Sequence, residues 1–325
     1  MSKARELANL GNAYSDGALS NRNRIINGSF QIWQRGTSFT SDGYGADRWS
    51  MAFGSNTGTI SRQSFTVGQT DVPDNPAYYL RFNISSYSSE FSIFNKVEDV
   101  STLAGQTAVL SFYMKADSAV TNRPFIVQNF GSGGSSNVNS ALSTVSVTTS
   151  WQRFEVPFSV PSISGKTIGS SSYLQIMPLR ITSSFTGNID IANVQLEVGD
   201  TATPFEHRSY GQELALCQRY FYKITDGGSA AYIADFFVYS STNTTGIVPL
   251  PVTMRAAPTL TGNWTTSGYF VGYANQAAVN WTTITLNGSN TRVGTVYHSG
   301  GGYTIGSAGG LYVQPEAILA YDAEL

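Results

Sequence analysis

Apolar and polar positions alternate with a period of two along much of this chain, which predicts strands rather than helices. The best-marked run is 108–116, AVLSFYMKA. There Val109, Ser111, Tyr113 and Lys115 share one face, and Leu110, Phe112 and Met114 share the other. Similar runs are predicted at 57–66, 76–84 (with Tyr79 and Phe82 flanking Leu80), 91–100, 145–149, 151–160 and 171–181. The stretch 25–36, IINGSFQIWQRG, reads as the first strand, and Ala46, Trp49 and Met51 continue after a glycine-rich turn. Residues 131–140 are poor in apolar mass and read as a mobile loop. The run 188–198, NIDIANVQLEV, closes this series: Ile189, Ile191 and Val194 are apolar, then Val194, Leu196 and Val198 alternate. Gly199-Asp200 ends the extended run, and Pro204 fixes a turn after it. From Tyr210 the period changes, and Leu214, Leu216 and Tyr220 predict one or two helical turns.

This order implies an all-β chain with a short helical junction. Roughly nine or ten strands over about 170 residues, with no long helix between them, predict an antiparallel sandwich of jelly-roll type rather than βαβ units. The expected organisation is a polar leader at 1–24, a jelly-roll β-sandwich at 25–209 and a smaller β domain at 210–325. In the leader, Ala4, Leu7 and Leu10 line one face of a helix too short to be stable alone. Two readings stand for it: a disordered tail, or an attachment arm that orders on a larger structure. In the second domain the strand-like runs lie at 230–240, 264–273, 278–288, 292–298 and 309–325. The stretch 247–262 carries Pro249, Pro251 and Pro258 and is expected at an edge or in a loop. The apolar end, ILAYDAEL, is expected to be tied into a sheet.

Composition narrows the function classes. Charged residues make up 12% of the 325, against about 25% in ordinary domains. Net charge is -2 and no basic face is visible, which argues against a nucleic-acid partner. Cys217 is the single cysteine, so no disulfide scaffold forms within the chain. No run approaches about 18 consecutive apolar residues, so no membrane span is expected. With no secretory h-region at the start, synthesis in a cytoplasm is expected.

Candidate chemistry is sparse. The two histidines, His207 and His298, lie in different domains, and no HExxH, CxxC, GxSxG or GxxxxGK pattern occurs. No cofactor or metal site is expected. Structural calcium is the one ion retained, with Asp190, Glu197 and Asp200 near the closing strand as its candidate ligands. Glycoside hydrolysis needs two carboxylates across a sugar. Glu90, Glu98, Asp99, Glu155 and Glu197 are available, and sequence brings no two of them together. Exposed aromatics and amides suit carbohydrate binding better, because ring faces stack on sugar C–H surfaces. The candidates are Trp33, Trp49, Trp151, Trp264 and Trp281, each weighed against a core position.

The segments NRIINGSFQIWQRGTSF, YGADRW, NVQLEVGDTATPFEHRSYGQELALCQRYFYK, VPLPVTMRAAPTLTG and the terminal YDAEL resemble a set of tailed-bacteriophage virion proteins. These are tail fibre, appendage or minor structural proteins. Residues 50–185 carry no matching motif. The resemblance implies a jelly-roll similar to carbohydrate-binding modules, followed by a smaller phage-specific β domain. It implies that Gln195, Leu196, Glu197, Gly199, Pro204, Phe205 and Glu206 form a structural signature of the last strand. It also implies a virion location, docking on other virion proteins through the N-terminal segment, a homotrimer, and contact with host cell-surface polysaccharide. A capsid decoration or cement protein and a polysaccharide depolymerase are the alternatives.

Overall fold

The computed structural model describes residues 21–225, 229–275, 277–286 and 288–325. The expected attachment segment, with Ala4, Leu7 and Leu10, lies outside the described residues up to residue 20. Among the described residues twenty-four strands and one helix make an all-β fold, and every strand pair there is antiparallel. The chain divides into two units, 1–210 together with Leu325, and 211–324.

The first unit is a jelly-roll sandwich of two six-stranded sheets. One sheet has the order β1(Ser38–Phe39), β4(Thr57–Ser64), β5(Tyr78–Ser86), β14(Gly187–Val198), β7(Thr107–Ala116), β12(Gln152–Ser159). The other has the order β10(Val138–Ala141), β9(Phe125–Asn129), β13(Tyr173–Ile181), β6(Phe91–Glu98), β3(Trp49–Ala52), β2(Gly43–Tyr44). The ribbon β8(Val120–Asn122)–β11(Val145–Val147) completes the unit. From β5 onward the chain passes repeatedly from one sheet to the other. Side chains at every second position therefore meet in a single core, which includes Leu80, Phe82, Phe112, Met114, Ile176 and Leu196.

β14 is the central strand of its sheet, paired with β5 on one side and β7 on the other. Its core positions are Ile189 and Ile191, then Val194 and Leu196. The phase changes at a bulge where Asn193 takes a left-handed φ of 48°. Asp190, Ala192, Gln195 and Glu197 therefore all lie on the outward side.

The structure corrects the expectation of a first strand at 25–36, since no residue of that stretch is in a sheet. Asn27 and Phe30 have left-handed φ values of 60° and 55°, which break any extended run. The Asn27 amide binds the carbonyls of Ile32 and Asp47 and accepts from the Ile32 N–H, so the segment is a buried loop. Gly28 lies so close to β14 that an added Cβ would stand 2.1 Å from the Val194 carbonyl oxygen. The sandwich also begins earlier than residue 25. Asn23 is 3% exposed, and its side chain joins the N–H groups of Ile25 and Leu196 and the carbonyl of Val194. The end of 131–140 is not loop: residues 138–140 belong to β10, Val138–Ala141, which pairs with β9.

The second unit opens with α1(Tyr210–Gln218), at the change of period after Pro204. Cys217 is buried and forms no disulfide. A three-stranded sheet has the order β15(Phe221–Lys223), β24(Leu319–Asp322), β18(Thr259–Gly262), so the end of the chain is a central strand. A seven-stranded sheet has the order β20(Ala277–Asn280), β19(Phe270–Ala274), β23(Ala308–Val313), β16(Ala231–Val238), β17(Asn243–Pro249), β22(Val293–Ser299), β21(Ile284–Thr285). The proline-rich stretch 247–262 was expected at an edge or in a loop, and most of it is so; its first residues, 247–249, instead end β17, which lies inside this sheet between β16 and β22. Pro249 is its last paired residue, while Pro251 falls in the connection that follows. Pro258 immediately precedes β18, which is an edge strand.

Candidate functional site

The outward side of the β4–β5–β14–β7–β12 sheet gathers polar, charged and aromatic side chains. In β5, Leu80, Phe82 and Ile84 fill the core, so Tyr79, Arg81 and Asn83 face outward. In β7 the same alternation turns Tyr113 and Lys115 outward. Register then aligns Arg81 with Asp190, and Asp190 with Lys115, in one row across three strands.

Arg81 grips Asp190 with two hydrogen bonds, Nε to Oδ1 at 2.7 Å and Nη2 to Oδ2 at 2.8 Å. Lys115 Nζ lies 3.7 Å from Oδ2. The Asp190 side chain is 2% exposed, against 29% for Arg81 and 32% for Lys115. Hydrogen bonding to Asp190 raises the Arg81 guanidinium above its ordinary pKa. Burial, and then the charge of Asp190, raises the neighbouring Tyr79 phenol. The carboxylate is thus held beneath two cations, and the row presents net positive charge to solvent.

Beside this row Phe65, Tyr79 and Trp151 form a ring cluster. Centroids are 4.7 Å apart for Phe65–Tyr79, and 5.4 Å for both Phe65–Trp151 and Tyr79–Trp151. All three rings are half-buried. Lys115 Nζ stands 5.3 Å from the Trp151 ring centre, and the Arg81 guanidinium carbon 5.8 Å from that of Tyr79. On the other side of the row Asn83 donates to Asn188 at 2.9 Å, and Asn188 donates to Asp117 at 2.9 Å. One sheet face therefore offers stacking surface, cations and amides together.

The expected site residues fall in different places. Trp151 is on this face. Trp33 (8% exposed) and Trp49 (0%) are core residues whose indoles donate to the carbonyls of Phe30 and Asn27. Trp281 (0%) is buried in the second unit, stacked on His298 with ring centres 4.9 Å apart. Their reading as exposed aromatics is corrected: Trp49 lies in β3 and Trp33 and Trp281 in connecting segments, and all three rings fill core volume. Trp264 is half-buried against the core of the second unit.

The residues Gln195, Leu196, Glu197, Gly199, Pro204, Phe205 and Glu206 close the end of β14. Leu196 is in the core, and Gly199, at φ 112°, turns the chain. Glu197 accepts from the Thr203 N–H and hydroxyl, both at 2.8 Å, and from the Gln195 amide at 2.8 Å. Gln195 accepts from the Glu206 N–H, while Glu206 accepts from the Asn23 N–H. Phe205 packs edge-on against His207, whose Nε2 lies 3.5 Å from Asp74.

The carboxylates considered for calcium are separately engaged. Asp190 meets Arg81 and Lys115, Glu197 binds its loop, and exposed Asp200 accepts from Thr201. Among the described residues no three His, Cys, Asp or Glu side chains gather as a metal site. Of the acids considered for hydrolysis, Glu90 pairs with Arg180 at 2.6 Å, Glu155 with Arg153 at 3.0 Å, and Asp99 caps the Ser101 N–H. A separate depression of about 330 Å³ is lined by hydroxyls, including Thr121, Ser146, Thr148 and Ser183, and shares no lining residue with the ring cluster. No described helix is long and apolar enough to cross a membrane.

Sequence reasoning missed Phe65, Tyr79, Arg81 and Lys115 as one site. They come from three segments, and only register unites them. The alternation within 76–84 held the signal, because Tyr79 and Arg81 are out of phase with Leu80 and Phe82.

No family model matches the sequence, and no curated protein matches it. Among solved structures, the C-terminal family 22 carbohydrate binding module of Clostridium thermocellum Xyn10B aligns at 14% identity and TM-score 0.38, over 57% of this chain and 98% of that one. A family 4 carbohydrate-binding module aligns at 19% identity and TM-score 0.31, over 54% and 99%. The enzymatically active domain of tailspike protein 4 from bacteriophage CBA120 aligns at 14% identity and TM-score 0.35, over 55% and 22%. Similarities of this strength carry no argument about ligand or activity.

Proposed function

We propose that this chain is a non-enzymatic binding protein of a phage virion, and that the outward face around Trp151 takes up a host surface glycan. The observation that carries the glycan reading is the Phe65–Tyr79–Trp151 cluster beside Arg81, Asp190 and Lys115. Half-buried rings offer apolar faces to a pyranose, and the two cations suit acidic sugars or hydroxyl oxygens. The non-enzymatic reading is supported by the state of the carboxylates. Asp190 is spent on two cations, and Glu90, Glu155 and Glu197 are each engaged elsewhere. The virion location, docking through the N-terminal segment and assembly as a homotrimer rest on the sequence resemblance.

Titration against host envelope polysaccharides tests the reading. Trp151→Ala is expected to weaken binding about tenfold, equivalent to about 1.4 kcal/mol, without unfolding the sandwich. Absence of binding to any envelope glycan, or binding indifferent to both Trp151→Ala and Lys115→Ala, would remove it. Release of reducing ends from the polysaccharide would replace it with a depolymerase. A virion reconstruction at side-chain detail tests location and copy number, and head-shell placement would favour a cement protein.

A further inference from the structure

The seven strands of the larger sheet in the second unit contain one acidic or basic side chain apart from the inward His298: Asp235. Asp235 is exposed and makes no ion pair among the described residues. In register it lies opposite Gly310, which lies opposite Tyr273 on the other side. A register shift between Tyr232 and Ala234 brings Tyr232 to the same outward face as Asp235. Tyr312, paired with Tyr232, completes the group.

Tyr232 and Tyr273 are 63% and 41% exposed, in a protein whose other large rings are mostly inside. Ring centres are 5.3 Å apart for Tyr232–Tyr312, 6.0 Å for Tyr273–Tyr312 and 6.3 Å for Tyr232–Tyr273. The interplanar angles are 67°, 81° and 65° in the same order. Three rings so inclined share no plane. Their faces instead bound a corner. The missing side chain at Gly310 is what lets the Tyr232 ring reach over, since an added Cβ would stand 2.6 Å from it.

We propose that this corner binds a compact organic cation, a quaternary or fully substituted ammonium group. The negative faces of the tyrosine rings attract such a group, and a bulky ammonium loses little hydration on entering. Among the described strand residues of this sheet Asp235 supplies the only formal charge on the outward face, with no strand-borne lysine or arginine beside it to neutralise it or compete for the rings. The face of the first unit has the opposite character, with Arg81 and Lys115 over a buried acid. The two surfaces therefore select different chemistry, and this proposal does not depend on the glycan reading.

The test is titration of the full chain with tetramethylammonium and choline, against the uncharged isostere of choline in which carbon replaces the quaternary nitrogen. Choline is expected to bind at least about tenfold more tightly than its isostere, by cation–π attraction and the carboxylate together. Tyr273→Ala and Asp235→Asn are each expected to weaken choline about tenfold, while Asp235→Glu retains most of the affinity. Asp235→Asn is an exposed isosteric change, so its result is free of folding effects. Equal binding of the isostere would overturn the proposal, as would choline binding indifferent to both variants. A concentration-dependent mass abolished by Tyr273→Ala, without choline binding, would reassign the face to contact between copies.

Discussion

His298 is a buried imidazole with one satisfied nitrogen. Its Nδ1 lies 2.9 Å from the Thr283 carbonyl and must donate to it, which leaves Nε2 as a bare acceptor with no partner. The ring stacks on Trp281, almost parallel at 10°. Burial lowers its pKa from the ordinary 6.5, and the bond to Thr283 offsets only part of this. The unfolded chain therefore binds a proton more readily than the folded one. Stability from this group is complete above about pH 6.5 and falls as pH drops toward the folded-state value. Acidification from pH 7 to 5.5 is expected to lower the protection factors of the β22 amides, that is, exchange relative to the intrinsic rate at each pH, and His298→Gln is expected to flatten that dependence. An unchanged slope in the variant would place the acid sensitivity elsewhere. At this scale the sequence was least legible. Five tryptophans look alike in a string, yet Trp49 and Trp281 are fully buried while Trp151 helps form a surface cluster. What separates them is where the folded backbone carries each ring, Trp49 in β3 and Trp151 and Trp281 in connecting segments, and composition holds no record of that.

Strands with strict alternation were legible and strands interrupted by special residues were not. β7 shows its two faces directly in AVLSFYMKA, and the structure keeps Leu110, Phe112 and Met114 inside. β14 also showed its change of phase between Ile191 and Val194, although nothing local named the cause. Asn193 is that cause, with its left-handed φ of 48° and a side-chain oxygen that has no hydrogen-bond partner. The residue is there for its backbone, because Asn tolerates this region and β-branched residues do not. Asn193→Gly is accordingly expected to stay within about 0.5 kcal/mol of the parent, while Asn193→Val costs about 2 kcal/mol. Denaturant midpoints of the two variants decide this, and equal costs would show that the bulge is set by side-chain contacts. The stretch 25–36 was misread for a related reason. Its apolar residues are buried, but Asn27 and Phe30 interrupt the extended backbone, and the Asn27 side chain replaces ladder bonds. Within 247–262 only residues 247–249 departed from the edge-or-loop expectation, because Pro249 stands at the end of β17, where the ladder already stops.

On the scale of the whole molecule, scarcity of charge and abundance of turn residues pointed to sheets, and the change of period at Tyr210 pointed to the division of the chain. The assembled face around Trp151 was not legible, because Phe65, Tyr79, Lys115 and Trp151 meet only through the β5–β14–β7 register. The two units also differ in what holds them. The core cluster of the first contains no residue beyond Leu196, and that of the second begins at Ala234. Apolar burial is the main stabilising contribution in a domain, so a unit with its own core has its own source of stability. The Asn23, Gln195, Glu197 and Glu206 network that closes the sandwich also lies wholly before Tyr210. Residues 21–210 produced alone are therefore expected to fold and to keep the ring cluster. They should show a dispersed amide spectrum, one cooperative thermal transition, and the same glycan affinity as the full chain. Removing Asn23 as well should lower the transition, because its side chain joins the segment before β1 to β14 and leaves buried groups unpaired when lost, at a cost of about 1–3 kcal/mol. A collapsed fragment with a narrow spectrum would mean that the sandwich draws stability from beyond residue 210, and the division into two self-sufficient cores would fail.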